Sequence, residues 1–182
     1  DRGFPVMPDG PAIVTGMMTA LAGLGAILTA LTLVWVLSVK RRDASIADVS
    51  WGLGFVLLAW LYCVLSPALT PRSWLVAVLI TLWGARLSRH IFRRNHGQGE
   101  DPRYQAMRAS HGRAFWWRSL LTVFWLQGAI LWFVALPLLV AVRAAHPTHL
   151  TAVDGLGILI FAVGFGFEVV GDYQLARFRA EP

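Results

Sequence analysis

Charge is the scarcest property of this sequence. Of 182 residues, 14% are Asp, Glu, Lys or Arg, while 57% are hydrophobic and mean hydropathy is +0.59. A soluble domain of this length needs a polar surface, and this composition excludes one. Cysteine is almost missing too. Cys63 stands alone in an apolar block, so an internal disulfide is excluded and the thiol reads as a small hydrophobe. There is no P-loop, no nucleophile elbow and no dinucleotide-binding glycine fingerprint. The five histidines show no ligand spacing with a carboxylate, apart from the loose pair His146 and His149, so no metal is assigned. The first ten residues lack a basic segment followed by an apolar core, and no signal peptide is read there. The sequence opens on Asp1, with Met7, Met17 or Met18 as alternative starts, or with a piece missing upstream.

What the sequence has is long apolar runs. A run of about 20 apolar residues is the length that crosses the hydrocarbon core as helix, and in lipid the backbone must satisfy itself. Five such spans are expected, at about 11–39, 48–65, 74–92, 119–142 and 152–175. The fold class is therefore all-α: a polytopic integral membrane helix bundle in one membrane domain. Gly16, Ala20 and Gly23 recur at the small-residue spacing that lets helices approach. Gln127 and Pro137 lie inside the fourth span, where Gln127 suits an interhelical hydrogen bond.

The formal net charge of +6 is concentrated between residues 86 and 118. In a membrane protein this is a topology signal, not a nucleic-acid footprint. Lys40, Arg41 and Arg42 follow the first span, and the stretch 93–118 follows the third. The loops after the second and fourth spans carry only Arg72 and Arg143. The basic loops are expected in the cytoplasm, with the N-terminus outside and the C-terminal end inside. In the stretch 93–118, Asp101 caps a short interfacial helix that starts at Pro102.

Chemistry is concentrated in the third and fifth spans. Gly157, Gly164, Glu168, Asp172, Leu175 and Arg179 share one helical stripe. Two carboxylates on a membrane helix need partners or a polar cavity. They either pair with Arg86 or Arg89 as a structural ion pair, or they face a ligand. Arg86, Arg89 or His90, and Arg93 form a facing stripe, suited either to phosphates or to snorkelling toward headgroups. Asn95-x-Gly97-x-Gly99 is a glycine-bearing loop that binds anions or simply turns. Asp48, at the start of the second span, reads as a helix N-cap.

Four stretches carry a resemblance: Asp48-Val-Ser-Trp51-Gly52-x-Gly54-Phe55; Arg93-Arg94-Asn95-His-Gly97-Gln-Gly99-Glu100-Asp101-Pro-Arg103-Tyr104; Leu126-Gln127-Gly128; and Glu168-x-x-x-Asp172-Tyr173-Gln174-Leu175-x-x-Phe178. Over about residues 45 to 182 the sequence resembles the bacterial membrane proteins grouped as DUF1295. These belong to the superfamily of steroid 5-alpha-reductases, sterol reductases and isoprenylcysteine carboxyl methyltransferases.

The resemblance implies a helical membrane reductase of about seven spans, in a bacterial inner membrane. It would move hydride from NADPH to an activated double bond in a lipid or steroid-like substrate. By the same resemblance Asp172 and Arg179 fall on cofactor-holding positions and Glu168 on a polar cofactor contact. Asn95 matches an asparagine of the cofactor loop, and Arg103 is a looser match. The rivals are an S-adenosylmethionine-dependent membrane methyltransferase of the same superfamily, and a non-enzymatic scaffold or inactive homologue. The glutamine–glutamate pair and tyrosine of the steroid reductases have no clear counterpart, and no catalytic residue is assigned. The family continues with a Gly-Leu-Trp-x-Tyr-x-Arg-His-Pro-Asn-Tyr motif and two more helices, whereas this sequence stops at Pro182, as a fragment or a shortened homologue would. Expected partners are membrane lipids and a lipid-like substrate, with no nucleic acid; self-association is left open.

Overall fold

The backbone of a five-span bundle follows from the apolar runs, and the breaks between them follow from capping and proline chemistry. The computed structural model describes residues 10–180, with side chains to residue 178. The first two spans are α1 (Gly10–Arg41) and α2 (Ile46–Val64), and the third is α3 (Pro71–Asn95). The fourth is a continuous helical path built from α4 (Pro102–His111), α5 (Phe115–Ser119), α6 (Leu126–Val134) and α7 (Leu136–Arg143). The last span is α8 (Ala152–Ala180). No strand occurs among the described residues. Among the described residues, five helical stretches are long and apolar enough to cross a membrane.

Local chemistry sets the helix starts. The Thr70 side chain accepts a hydrogen bond from the Ser73 amide, the Ser73 side chain accepts one from the Thr70 amide, and Pro71 takes the first helical position. The Ser73 hydroxyl also donates to the Val142 carbonyl at 2.7 Å, which ties the start of α3 to the end of α7. Asp101 caps α4 by accepting from the Arg103 amide, with Pro102 next to it. The stretch 93–118 is thus largely helical: α3 runs on to Asn95, and α4 starts seven residues after its end.

The fourth span bends twice. Leu120–Trp125 adopts the wider π turn. Pro137 then breaks the ladder near Ala135, whose carbonyl takes the Leu138 amide at 3.0 Å, and whose amide reaches back to Leu131.

Helix α2 is the most enclosed of the spans and touches α1, α3, α6 and α7. Gly52 and Gly84 set its distance from α3. A Cβ on either residue would run into the carbonyl oxygen of the other. On the other side of α2, a Cβ on Gly54 would meet Leu131 and Ile27. Without these hydrogens-for-side-chains the helices cannot close on one another. Tyr62, Leu58, Phe124, Ile27 and Leu131 fill the interior between α1, α2 and the fourth span. The small-residue stripe of α1 contributes at two positions: Gly23 lies directly under the Tyr62 ring and Ala20 packs against the core, whereas nothing among the described residues approaches Gly16.

Indole N–H groups fasten α1 to the fourth span. Trp35 donates to the Trp116 carbonyl (2.8 Å), Trp125 to Thr32 Oγ1 (3.0 Å) and Trp132 to the Ala20 carbonyl (2.7 Å). In contrast, no residue of α8 with a described side chain is buried. It is held to α3 by long polar side chains rather than by packing, with Arg72 bonded bidentately to Asp154 at one end (2.6 and 2.9 Å).

Gly84→Ala is expected to lower stability by about 1–3 kcal/mol through overpacking against α2. Gly164→Ala, where nothing lies within 4 Å, is expected to be neutral or mildly stabilising. Thermal unfolding of the detergent-purified variants checks the contrast, and equal effects at the two positions would contradict the close approach of α2 and α3.

Candidate functional site

The C-terminal ends of α1, α3 and α8 and the N-terminal ends of α2 and α4 meet at one end of the bundle. The short α1–α2 connection and the loop between α3 and α4 are clasped together there. Glu100 accepts from the Ala44 amide (2.8 Å) and from Arg108 through two nitrogens (2.9 and 2.7 Å). Ser45 Oγ accepts from the Asp101 amide at 2.7 Å. The loop can make this turn because Gly97 and Gly99 take φ of 79° and 77°, a region that costs most other residues energy. Burial pushes the Glu100 carboxyl up, but Arg108 and the Ala44 amide outweigh it and leave the group below its ordinary value. Asp101 is likewise held low, first by the Arg103 side chain and then by the Arg103 amide.

A second polar cluster lies beside this clasp. The Tyr104 hydroxyl donates to Asp48 Oδ1 at 2.7 Å, and Arg103 donates to Asp48 Oδ2 at 2.8 Å. Gln127 Nε2 donates to the Tyr104 oxygen at 3.3 Å. Arg103 also grips Asp101 through Nε (3.0 Å) and Nη2 (3.1 Å). Asp48 is therefore not an N-cap. Ser45 occupies that position, and Asp48 lies in the first turn of α2 facing α4. Gln127 does bond across elements, as a membrane amide should.

The third cluster joins α3 to α8. Arg86 bonds to Asp172, donates to the Glu168 carbonyl at 3.0 Å, and places Nη1 2.8 Å from Glu168 Oε1 as an ion pair without hydrogen-bond alignment. Trp83 donates its indole N–H to Glu168 Oε2 at 3.1 Å, and His90 Nδ1 stands 3.4 Å from Asp172. The shared stripe read from the spacing of Glu168 and Asp172 is present, and its partner is Arg86. Gly157 and Gly164 have nothing within 4 Å among the described residues.

Three neighbouring cavities lie against these clusters. One of about 740 Å³ lies between the ends of α3 and α8, lined by His90, Arg93, Arg94, Gln98, Asp172 and Leu175 among others. One of about 450 Å³ lies over the α3–α4 loop and includes Arg94, Asn95, Gln98, Asp101 and Arg103. One of about 250 Å³ is lined by Asp48, Trp51, Ile91, Arg94, Arg103 and Gln127. Arg94 lines all three. Its Nε donates to Asn95 Oδ1 at 3.1 Å, while Asn95 Nδ2 is buried with no partner.

The structure thus places Asn95, Arg103 and Asp172 in the walls of these neighbouring cavities. Glu168 sits one turn earlier in α8 and is occupied by Arg86 and Trp83. The side chain of Arg179 lies outside the described residues. Sequence reasoning gave Arg94 no role of its own and found neither the Glu100 clasp nor the Asp48–Tyr104 bond. Arg94 was visible as part of a basic run, but the other two join residues 56 apart. Among the described residues, no group of three or more His, Cys, Asp or Glu is placed to hold a metal ion.

A polytopic helical membrane protein with a cavity system at its basic end is the class these features define. The model of the family described as "Protein of unknown function (DUF1295)" matches residues 34–182, and the chain belongs to that family. No curated protein and no solved structure matches it.

Two outcomes follow. Arg86→Leu leaves two carboxylates facing each other in a low-dielectric site and is expected to cost about 3–5 kcal/mol. Adding Glu168→Gln and Asp172→Asn recovers most of that loss in thermal unfolding. The Glu100 clasp contributes stability that is complete above the ordinary glutamate value of about 4.3 and is lost as pH falls through the lower value in the folded protein. Hydrogen exchange at residues 96–101, corrected for intrinsic rates, is expected to rise on acidification in the parent protein, while Glu100→Gln raises it at neutral pH and flattens the dependence.

Proposed function

We propose that this protein is an NADPH-dependent membrane reductase acting on a double bond in a lipid or steroid-like substrate, with its cofactor held in the neighbouring cavities at the basic end. The observation that supports it most is that the 740 and 450 Å³ cavities share Arg94 and Gln98 in their walls, with Asn95, whose buried Nδ2 has no hydrogen-bond partner among the described residues, lining the smaller of the two. A buried donor without an acceptor is costly and is what a bound ligand would satisfy.

The residues fit a dinucleotide phosphate. Arg93 and Arg94 offer guanidinium groups suited to bidentate phosphate contact. Asn95 donates from Nδ2, and Asp172 keeps lone pairs for a ribose hydroxyl while Arg86 holds it in place. Arg103 shares its charge with Asp101 and Asp48, so it orients the loop more than it neutralises a phosphate. Arg179 and Glu168 belong to the same proposal, Glu168 as the residue that positions Arg86. NADPH, when bound, would supply a hydride to the activated double bond, and the proton that completes the reduction would come from water. The substrate would enter sideways from the bilayer. The basic end faces the cytoplasm of a bacterial cell, with the N-terminus outside.

Calorimetry on the detergent-purified protein tests this, with S-adenosylmethionine as the control. Saturable NADPH binding is expected, weakened about tenfold or more by Arg94→Ala and by Asp172→Ala, the loss typical of a charged hydrogen bond. Binding of S-adenosylmethionine in place of NADPH would transfer the site to a methyltransferase, and binding of neither would leave a scaffold.

A further inference from the structure

The 250 Å³ cavity carries a chemical preference of its own. Its walls are Trp51 and Ile91, and its polar groups are Asp48, Gln127, Arg94 and Arg103. The Asp48 side chain is 14% exposed, and each carboxylate oxygen already takes one donor, Tyr104 on Oδ1 and Arg103 on Oδ2. Those two bonds come from α4 and prevent the carboxylate from turning, while each oxygen keeps a further lone pair. Tyr104 is nearly fully buried and is itself held by Gln127. Its proton is committed to Asp48, and losing it would set a phenolate against a carboxylate, two like charges in contact. The cluster is therefore built to accept a hydrogen bond, not to release a proton.

We propose that this cavity seats the polar end of the lipid substrate, and that this end is a neutral hydroxyl, which donates to Asp48 and accepts from Arg103 or Arg94. The identification of the occupant as substrate rests on the reductase reading; the hydroxyl preference rests on the cavity alone. An ammonium group would find Asp48 but would face two guanidinium groups. A carboxylate would find the guanidinium groups but would face Asp48 across a small space. An ether would leave Asp48 without its donor, and sites built to bond a hydroxyl reject the analogue lacking it. The place is right for a lipid end: Asp48 is in the first turn of α2, and Trp51 lies one turn inward at the depth where indoles favour the membrane interface. Arg94 and Arg103 also line the 450 Å³ cavity, so a headgroup here lies next to the proposed cofactor.

The experiment is binding of tritiated hexadecanol to the protein in nanodiscs, competed by unlabelled hexadecanol, hexadecyl methyl ether, hexadecanoic acid and hexadecylamine. Hexadecanol is expected to compete about tenfold or more better than the ether, the acid and the amine. Asp48→Asn is expected to erase that preference, and Tyr104→Phe to weaken it by freeing the carboxylate. Thermal unfolding of both variants, together with the parent's NADPH binding, keeps folding and cofactor effects separate. Equal competition by alcohol and ether, or stronger competition by acid or amine, overturns the proposal. So does a preference for the alcohol that survives Asp48→Asn in a folded variant. A hydroxyl preference in a protein that does not bind NADPH would uphold the cavity's chemistry and remove the reductase reading. NADPH binding without the preference would do the reverse.

Discussion

The backbone contact between Gly52 and Gly84 governs the geometry of everything at the basic end. Two helices that cross with carbonyl oxygens where a Cβ would stand are as close as helices come. That contact sets α2 directly against the latter half of α3. It places Asp48, one turn before Gly52, on the same level as Ser88 and Ile91, one and two turns beyond Gly84. The cavity containing Asp48 and Ile91 exists because the two helices meet at that level. The glycines therefore act on the site without touching it, by fixing how deep the two helix ends overlap.

A second constraint is the cost of charge near lipid. Three arginines in the spans meet an opposite charge from another element. Arg72 reaches Asp154, Arg86 reaches Glu168 and Asp172, and Arg103 reaches Asp48. Such pairs are weak evidence for stability, since desolvation offsets much of the attraction. They are strong determinants of register, because a shifted helix would strand a charge. For α8, which buries no described side chain, register against α3 depends on the two ion-pair clusters at its ends rather than on shape.

The helical class and the five spans were legible because apolar run length is a direct consequence of bilayer thickness. The Glu168–Asp172 stripe was legible because four residues make slightly more than one helical turn. That Arg86 and not Arg89 answers it was not, since the rotation of α3 is set by Gly84 against Gly52. Asp48 looked like a cap because an acidic residue at a helix start usually is one. Its true partners, Arg103 and Tyr104, lie 55 and 56 residues away and depend on how the α3–α4 loop folds back. The same holds for Glu100 and Ala44. Local spacing reveals faces of helices; it carries no information on which loop closes over which helix end.

Charge accounting around the loop separates the two arginines that the motif places nine residues apart. Arg103 lies between Asp48 and Asp101, within 3.1 Å of both carboxylates. Its field is largely cancelled, and what remains is direction: it fixes the Asp48 carboxylate. Arg94 spends one nitrogen on a neutral amide oxygen and presents the rest of its charge to three cavities. A polyanionic ligand gains most from the second kind of arginine and a neutral hydrogen-bonding ligand from the first. Both line the 450 and 250 Å³ cavities, but only Arg94 reaches the 740 Å³ one. The largest cavity therefore offers an anion the less compensated arginine, while the smallest, where Asp48 stands beside both, suits a neutral polar group.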